Sequence, residues 1–289
     1  MIKYNIKNDI YNLTVSDHGA EITSLLKNGR ELMWKADPAF WGRTSPVLFP
    51  QVGAVWEKKY RYEGKTYEMG QHGFARDMDF NLILQTSDEL VFELKDNEET
   101  KAKYPFDFVL RLGYKLTDDK VEVIWEVENP SDRDMFFSIG GHPAFNCDLT
   151  KDKLLFMNKG EKVSGNLTSN VIMLDGSGCL SDKTTEVVLD DGVLALKPEL
   201  FDDDALVIEN RQADTVAIIA ADGETIVTVS FDAPLFGVWS PDHKNAPFVC
   251  IEPWYGRCDR TGFTGDLSER EYGNKLGAGE RFKVSYTIA

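Results

Sequence analysis

Apolar side chains recur at every second position along three separate stretches of this 289-residue chain. In 108–116 they are Phe108, Leu110, Leu112, Tyr114 and Leu116, and in 121–128 they are Val121, Val123, Trp125 and Val127. In 282–288 they are Phe282, Val284, Tyr286 and Ile288. Successive side chains of a strand face opposite sides, so each stretch has one face to bury and one wetter face. Thr117-Asp118-Asp119-Lys120, a short polar turn, separates the first two stretches and predicts an antiparallel hairpin. Further strands are expected at 11–16, 20–27, 31–34, 58–62, 65–69, 79–85, 89–95, 134–139, 193–196, 205–209, 214–220 and 225–231. Asn28-Gly29 and Glu63-Gly64 mark tight turns between neighbouring pairs. Helical signal is confined to 97–103 and 197–203. Many strands and almost no helix predict an all-β fold, a large antiparallel β-sandwich. No Gly/Ser-rich or Pro-rich linker, composition shift or fixed-period repeat interrupts the pattern, so residues 1–289 are expected to form a single domain.

Charge narrows the partners. Asp and Glu number 48 against 32 Lys and Arg, a net charge of −16. Binding nucleic acid needs a basic face, so nucleic acid is not expected. No apolar run is long enough to span a bilayer, so no membrane partner is expected either. Met1-Ile2-Lys3-Tyr4-Asn5-Ile6 runs straight into polar residues rather than a secretory h-region, and a cytoplasmic protein is expected. Cys147, Cys179, Cys250 and Cys258 have no C-x-x-C spacing and read as small reduced apolar residues.

Three segments set ionisable residues among glycines, prolines and aromatics: Gln71-His72-Gly73-Phe74-Ala75-Arg76-Asp77, Gly140-Gly141-His142-Pro143-Ala144-Phe145-Asn146 and Ile251-Glu252-Pro253-Trp254-Tyr255-Gly256-Arg257. His142 follows an apolar strand and two glycines that permit close approach of a ligand or a positive φ. It reads as a proton-transfer group, or as a structural histidine at a tight turn. His72 with Arg76 reads as a polar wall aimed at hydroxyl or anionic oxygens, or as a hairpin end carrying a local Arg76–Asp77 pair. Glu252 is the first charge after the apolar run 246–251, where desolvation would raise its pKa and make it a stronger base. The alternative is a strand-end glutamate paired with Arg257. Trp254 or Tyr255 offers a flat apolar face to a sugar ring. Arg43, alone among Phe40, Trp41 and prolines, needs a partner from the fold or a substrate. Asp202-Asp203-Asp204 is a solvated turn or supplies one member that holds hydroxyls; His18 and His243 read as surface residues. His and Glu ligands from scattered loops would be needed for a metal, since no H-x-H or H-x-x-x-H spacing occurs. G-x-S-x-G and Gly-rich phosphate loops are also absent. A histidine and a glutamate on rigid turns suffice for general acid–base chemistry, with no cofactor or metal expected.

The ordered set Leu48-Phe49-Pro50-Gln51-Val52-Gly53, His72-Gly73-Phe74-Ala75-Arg76-Asp77, Gly141-His142-Pro143-Ala144-Phe145-Asn146 and Glu252-Pro253-Trp254-Tyr255-Gly256 resembles the aldose 1-epimerase (galactose mutarotase-like) family over essentially the whole chain. The resemblance implies an antiparallel β-sandwich with an open cleft, and exchange of the α and β anomers of an aldose. It casts His142 as the acid that protonates the ring oxygen and Glu252 as the base that takes the anomeric hydroxyl proton. It casts His72 as a substrate-binding group and Asp204, with Asp203 as the alternative, as a holder of hydroxyls. Gly-His-Pro replaces the Asn-His-Ser/Thr of the best-known galactose mutarotases and resembles a divergent branch, some of whose members act on hexose 6-phosphates. Arg43 and Arg76 suit a phosphate or neutral hydroxyls equally. The implied partner is a small sugar, taken by a monomer or homodimer. A non-catalytic sugar-binding β-sandwich is the rival from another class.

Overall fold

The computed structural model describes all 289 residues. Its strands form two large sheets and three small ones, and every strand pair is antiparallel. The ten-stranded sheet has Arg281–Ile288 at its centre, between Thr225–Phe231 and Val121–Glu128. The hairpin of Val109–Leu116 with Val121–Glu128 forms in full register, from Val109 opposite Glu128 to Leu116 opposite Val121. The eight-stranded sheet runs Leu180–Val187, Leu167–Ile172, Leu206–Glu209, Leu235–Trp239, Phe248–Tyr255, Ile139–Gly141 and Val47–Leu48, with Ala144–Asn146 also on Phe248–Tyr255. The two large sheets meet through aromatic contacts such as Phe231 and Phe156 on Phe236, and Trp125 on Tyr255. Alternate residues of the buried period-two runs thus enter one continuous core.

Local chemistry explains the turns. Asn28 and Gly29 both have positive φ, as do Glu63 and Gly64, the conformation a two-residue hairpin demands. Helix Glu98–Lys103 begins at Asn97, whose side chain accepts from the Thr100 N–H while the Thr100 hydroxyl accepts from the Asn97 N–H.

Several expectations are corrected. Residues 197–203 yield only the 3-10 turn Pro198–Phe201, which has no side-chain cap and is followed by Asp204 at a φ of 69°. The expected strand 134–139 divides at Ser138: Met135–Phe137 pairs with Asn274–Leu276, whereas Ile139–Gly141 joins the eight-stranded sheet. Lys3–Lys7, Lys153–Asn158, Leu167–Ile172, Leu180–Val187 and Leu235–Trp239 are strands that sequence reasoning missed. Residues 248–251 of the apolar run 246–251 belong to a longer strand, Phe248–Tyr255, in which every residue is buried. Burial on both faces removes the alternation, and Pro253 argues against a central strand, so the pattern gave no sign of it. Glu252 therefore stands inside a strand and not at its end.

Gly140 and Gly141 are also recast. Neither has a positive φ; both lie in strand Ile139–Gly141. A Cβ on Gly140 would come within 2.7 Å of the Trp254 ring, and one on Gly141 within 3.0 Å of the Trp125 ring. They make room for two indoles, one on each face of the sheet.

Candidate active site

Strand Phe248–Tyr255 sends Val249, Ile251 and Tyr255 into the main core. Its even residues face the other side, where Trp254 joins one small apolar cluster and Phe248 and Cys250 join another. Glu252 shares that parity and lies between the two clusters. The neighbouring chain is interrupted at His142-Pro143, between Ile139–Gly141 and Ala144–Asn146. The register is the same on both sides of the interruption, Gly140 opposite Trp254 and Ala144 opposite Cys250, which sets His142 opposite Glu252. Pro143 and Pro253 cannot donate ladder bonds, yet the ladder continues through the Ile251 N–H, which donates to the Pro143 carbonyl at 3.3 Å, and the His142 N–H donates to the Pro46 carbonyl at 3.0 Å. His142 Nε2 lies 3.4 Å from Glu252 Oε1, with the imidazole 8% and the carboxyl 1% exposed.

Burial governs the charges here. It pushes the Glu252 carboxyl well above the usual carboxylate range, and the negative charge of Asp204 adds to the shift. Burial lowers His142 to about 3, and the Arg76 and Arg43 guanidiniums add to that. His72 is held well below the ordinary imidazole value by burial, His142 and the same arginines. Its tautomer is fixed: the Gly53 N–H donates to His72 Nδ1 at 3.1 Å, leaving the proton of the neutral ring on Nε2. Glu252 Oε2, His142 Nδ1 and Arg76 Nε are buried without hydrogen-bond partners. Unpaired buried polar atoms are costly, and three gathered in one place mark a site built for a polar ligand.

These groups border a cavity of about 470 Å³. The structure brings all seven sequence-derived candidates, Arg43, His72, Arg76, His142, Asp204, Glu252 and Trp254, to its wall. On one side Arg43 Nη2 contacts Asp77 Oδ1 at 2.6 Å, and Arg76 Nη2 donates to the Gln71 carbonyl at 2.8 Å. On the acidic side stand Asp202, Asp204 and Asp242. Burial, with Asp242 nearby, raises the Asp204 carboxyl. Asp203 is exposed and lines a different hollow. Trp254, only 6% exposed, forms part of the floor. The half-buried rings are Trp41 and Trp239, which sequence reasoning missed as site residues. Trp41 stacks on the His142 imidazole with centroids 4.6 Å apart, and Trp239 meets its edge at 5.3 Å. Trp41 stood two residues from Arg43 in a segment already singled out; Trp239 carried no local signal.

Other readings resolve plainly. Arg257 pairs with Glu209 at 2.5 Å and with Glu271, not with Glu252. His18 lies against Asp79 and His243 against Asp202, both at least one-third exposed. All four cysteines are free. Ligand atoms of His142, Cys250 and Glu252 lie within 4.8 Å of one another, a grouping scattered in sequence. Burial holds the Cys250 thiol far above its ordinary pKa, and a protonated thiol is a poor nucleophile and metal ligand.

The family model for aldose 1-epimerase matches residues 3–263. The chain belongs to the aldose 1-epimerase family. Among curated relatives of this family member, the chromosomal protein LacX of Lactococcus lactis subsp. lactis is 30% identical over 266 residues, covering 87% of each chain. The crystal structure of a galactose mutarotase related enzyme from Lactobacillus acidophilus superposes with a TM-score of 0.91 at 36% identity, covering 100% of this chain and 97% of that one. A galactose mutarotase-like protein from Lactobacillus casei gives the same TM-score at 28% identity and covers 99% of both. The all-β sandwich expectation is thereby met by an aldose 1-epimerase fold. No helix of this family member is long and apolar enough to cross a membrane.

Proposed function

We propose that this protein interconverts the α and β anomers of an aldohexose by general acid–base ring opening and reclosure. The reading rests on one observation, the 3.4 Å approach of His142 Nε2 to Glu252 Oε1 at the wall of a hexose-sized cavity. Ionised Glu252 takes the proton of the anomeric hydroxyl as the bond from the anomeric carbon to the ring oxygen breaks. Protonated His142 gives its proton to that ring oxygen. The open-chain aldehyde turns about the bond beside its carbonyl, and reclosure from the other face returns both protons. His72 Nε2–H, Arg43 and Arg76 donate to sugar oxygens, while the Asp204 carboxyl holds hydroxyls.

Together the pair carries one proton. Burial favours that proton on Glu252. This is the arrangement that follows ring opening, so the site stabilises the open-chain state. Sugar hydroxyls donating to the carboxylate, and the indole face of Trp41 on the imidazole, shift the proton toward His142 before reaction.

Each proton-transfer group contributes about 10²–10⁴ in rate. Glu252→Gln and His142→Asn are each expected to lose about that factor in anomer exchange, measured by magnetisation-exchange NMR, with the circular dichroism unchanged. Full activity in either variant refutes the assignment. Sugar binding without faster exchange in the wild type selects a non-catalytic binder instead. Arg43 and Arg76, with Arg76 Nε buried without a hydrogen-bond partner, support a second reading, a hexose 6-phosphate substrate. The same assay on glucose, galactose and their 6-phosphates separates the two. Four free cysteines fit a reducing compartment, and we place the protein in the cytoplasm.

A further inference from the structure

The backbone of His142 hangs from one edge of the eight-stranded sheet, and that edge is held from outside the sheet. Val47–Leu48 is the last strand in the order. The chain just before it continues the pairing: besides the His142 bond to the Pro46 carbonyl, the Ala144 N–H donates to the Thr44 carbonyl at 2.9 Å. No strand flanks this edge on its other side. Glu21 stands there, and its Oε1 accepts from the Thr44 N–H and the Ser45 N–H, both at 2.7 Å. Thr44 and Ser45 are buried, so without Glu21 two buried N–H groups lose their partner, a costly loss. Glu21 ends the turn 17–21 between Tyr11–Ser16 and Ile22–Lys27 of the four-stranded sheet. The same turn grips the loop that carries Arg76, where the Gly19 N–H donates to the Met78 carbonyl at 2.8 Å. Gly19 has a φ of 70°, and a Cβ on it would come within 2.9 Å of the Arg76 carbonyl oxygen, so the approach requires glycine.

We infer that Glu21 is a positioning residue for proton transfer: its carboxyl fixes residues 44–46, and they fix His142 against Glu252. The inference rests on the anomer-exchange reading above. Glu21 is not on the cavity wall, so it acts through the backbone and not on the sugar. The two arginines have anchors of their own, Arg43 on Asp77 and Arg76 on the Gln71 carbonyl. Loss of Glu21 therefore falls on the proton-transfer step and not on sugar binding.

The test measures kcat and KM for anomer exchange on the better of glucose and galactose in Glu21→Ala and Glu21→Gln, by magnetisation-exchange NMR. Glu21→Ala is expected to lower kcat by about 10²-fold, the cost of misplacing a reacting group by about 1 Å, with KM within about threefold of the wild type. Glu21→Gln keeps an oxygen acceptor for both N–H groups and is expected to lose less than about tenfold. The second measurement does not depend on turnover: the imidazole ¹⁵N resonances of His142, identified among four histidines by their loss in His142→Asn, are expected to move in Glu21→Ala and to return in Glu21→Gln. An unchanged kcat in Glu21→Ala, even with a lowered melting temperature, overturns the inference and leaves Glu21 a merely structural residue. Glu21→Gln as slow as Glu21→Ala also overturns it, because the charge and not the pair of hydrogen bonds would then matter. If the wild type exchanges no sugar, the enzymatic reading fails, and the resonances alone decide the clamp: His142 signals unmoved in Glu21→Ala overturn it.

Discussion

Glu252 shows how a single residue can work against stability. Its carboxyl is almost wholly buried with Oε2 unpaired, and its folded pKa is raised. A raised carboxyl favours the folded state fully below the ordinary glutamate value, and this advantage is lost as pH climbs toward the folded value. Glu252→Gln keeps the shape and removes the ionisation. It is expected to raise the melting temperature at pH 7–8, with the gain vanishing below about pH 4.5, the unperturbed glutamate range. A variant no more stable at pH 8 than the wild type contradicts the burial argument. His142 acts in the opposite direction: its folded value of about 3 lies below the unfolded one, so its contribution is present above about pH 6.5 and fades as pH falls toward 3. Because the pair shares one proton, kcat/KM should stay level through neutral pH and fall on the acid side only near pH 3, where a second proton enters. An acid limb near 6.5 would show that His142 titrates as an ordinary solvated imidazole. Residue types and their neighbours in the chain announced these two side chains, since a lone charge after an apolar run signals desolvation. Their pairing as acid and base came only with the family resemblance, because the register that sets one opposite the other lies across 110 residues of chain.

At the scale of elements, the strand Phe248–Tyr255 does most to build the site. It was concealed by its own function, because a strand buried on both faces and holding a proline shows no period of two. Its Trp254 lies flat across two neighbouring strands that carry glycine where the ring passes. A Cβ on Gly237 would come within 2.4 Å of the Trp254 ring. Gly237→Ala should therefore displace the indole from the cavity floor and cost about 1–3 kcal/mol, the usual range for overpacking. Denaturant melts followed by tryptophan fluorescence would register both effects; an unchanged midpoint would mean that the ring does not depend on that gap. The exposed half of the sandwich was easier to read. The hairpin 109–128 has one wet face, so its alternation survives in the sequence and its register follows.

Across the whole molecule, the largest buried cluster holds 63 side chains drawn from Ile6 to Ile288. The last strand, Arg281–Ile288, lies between two strands that precede it by dozens of residues, so no part of the large sheet is complete without the end of the chain. We propose that the chain is one cooperative domain. Calorimetry should then give a single unfolding transition with equal calorimetric and van't Hoff enthalpies. Two resolved transitions would divide it.

Amphipathic strands, tight turns and the acid, base and basic residues of the site were fixed by the sequence, because each is written in local spacing or side-chain type. Tertiary structure alone decided that Asp202 and Asp204 reach the cavity while Asp203 does not, that Trp41 and Trp239 enclose His142, and that Arg257 belongs to Glu209. Those outcomes depend on which distant strands pair and in what register. Pairing is set by burial summed over the whole core, which no short stretch of the chain contains.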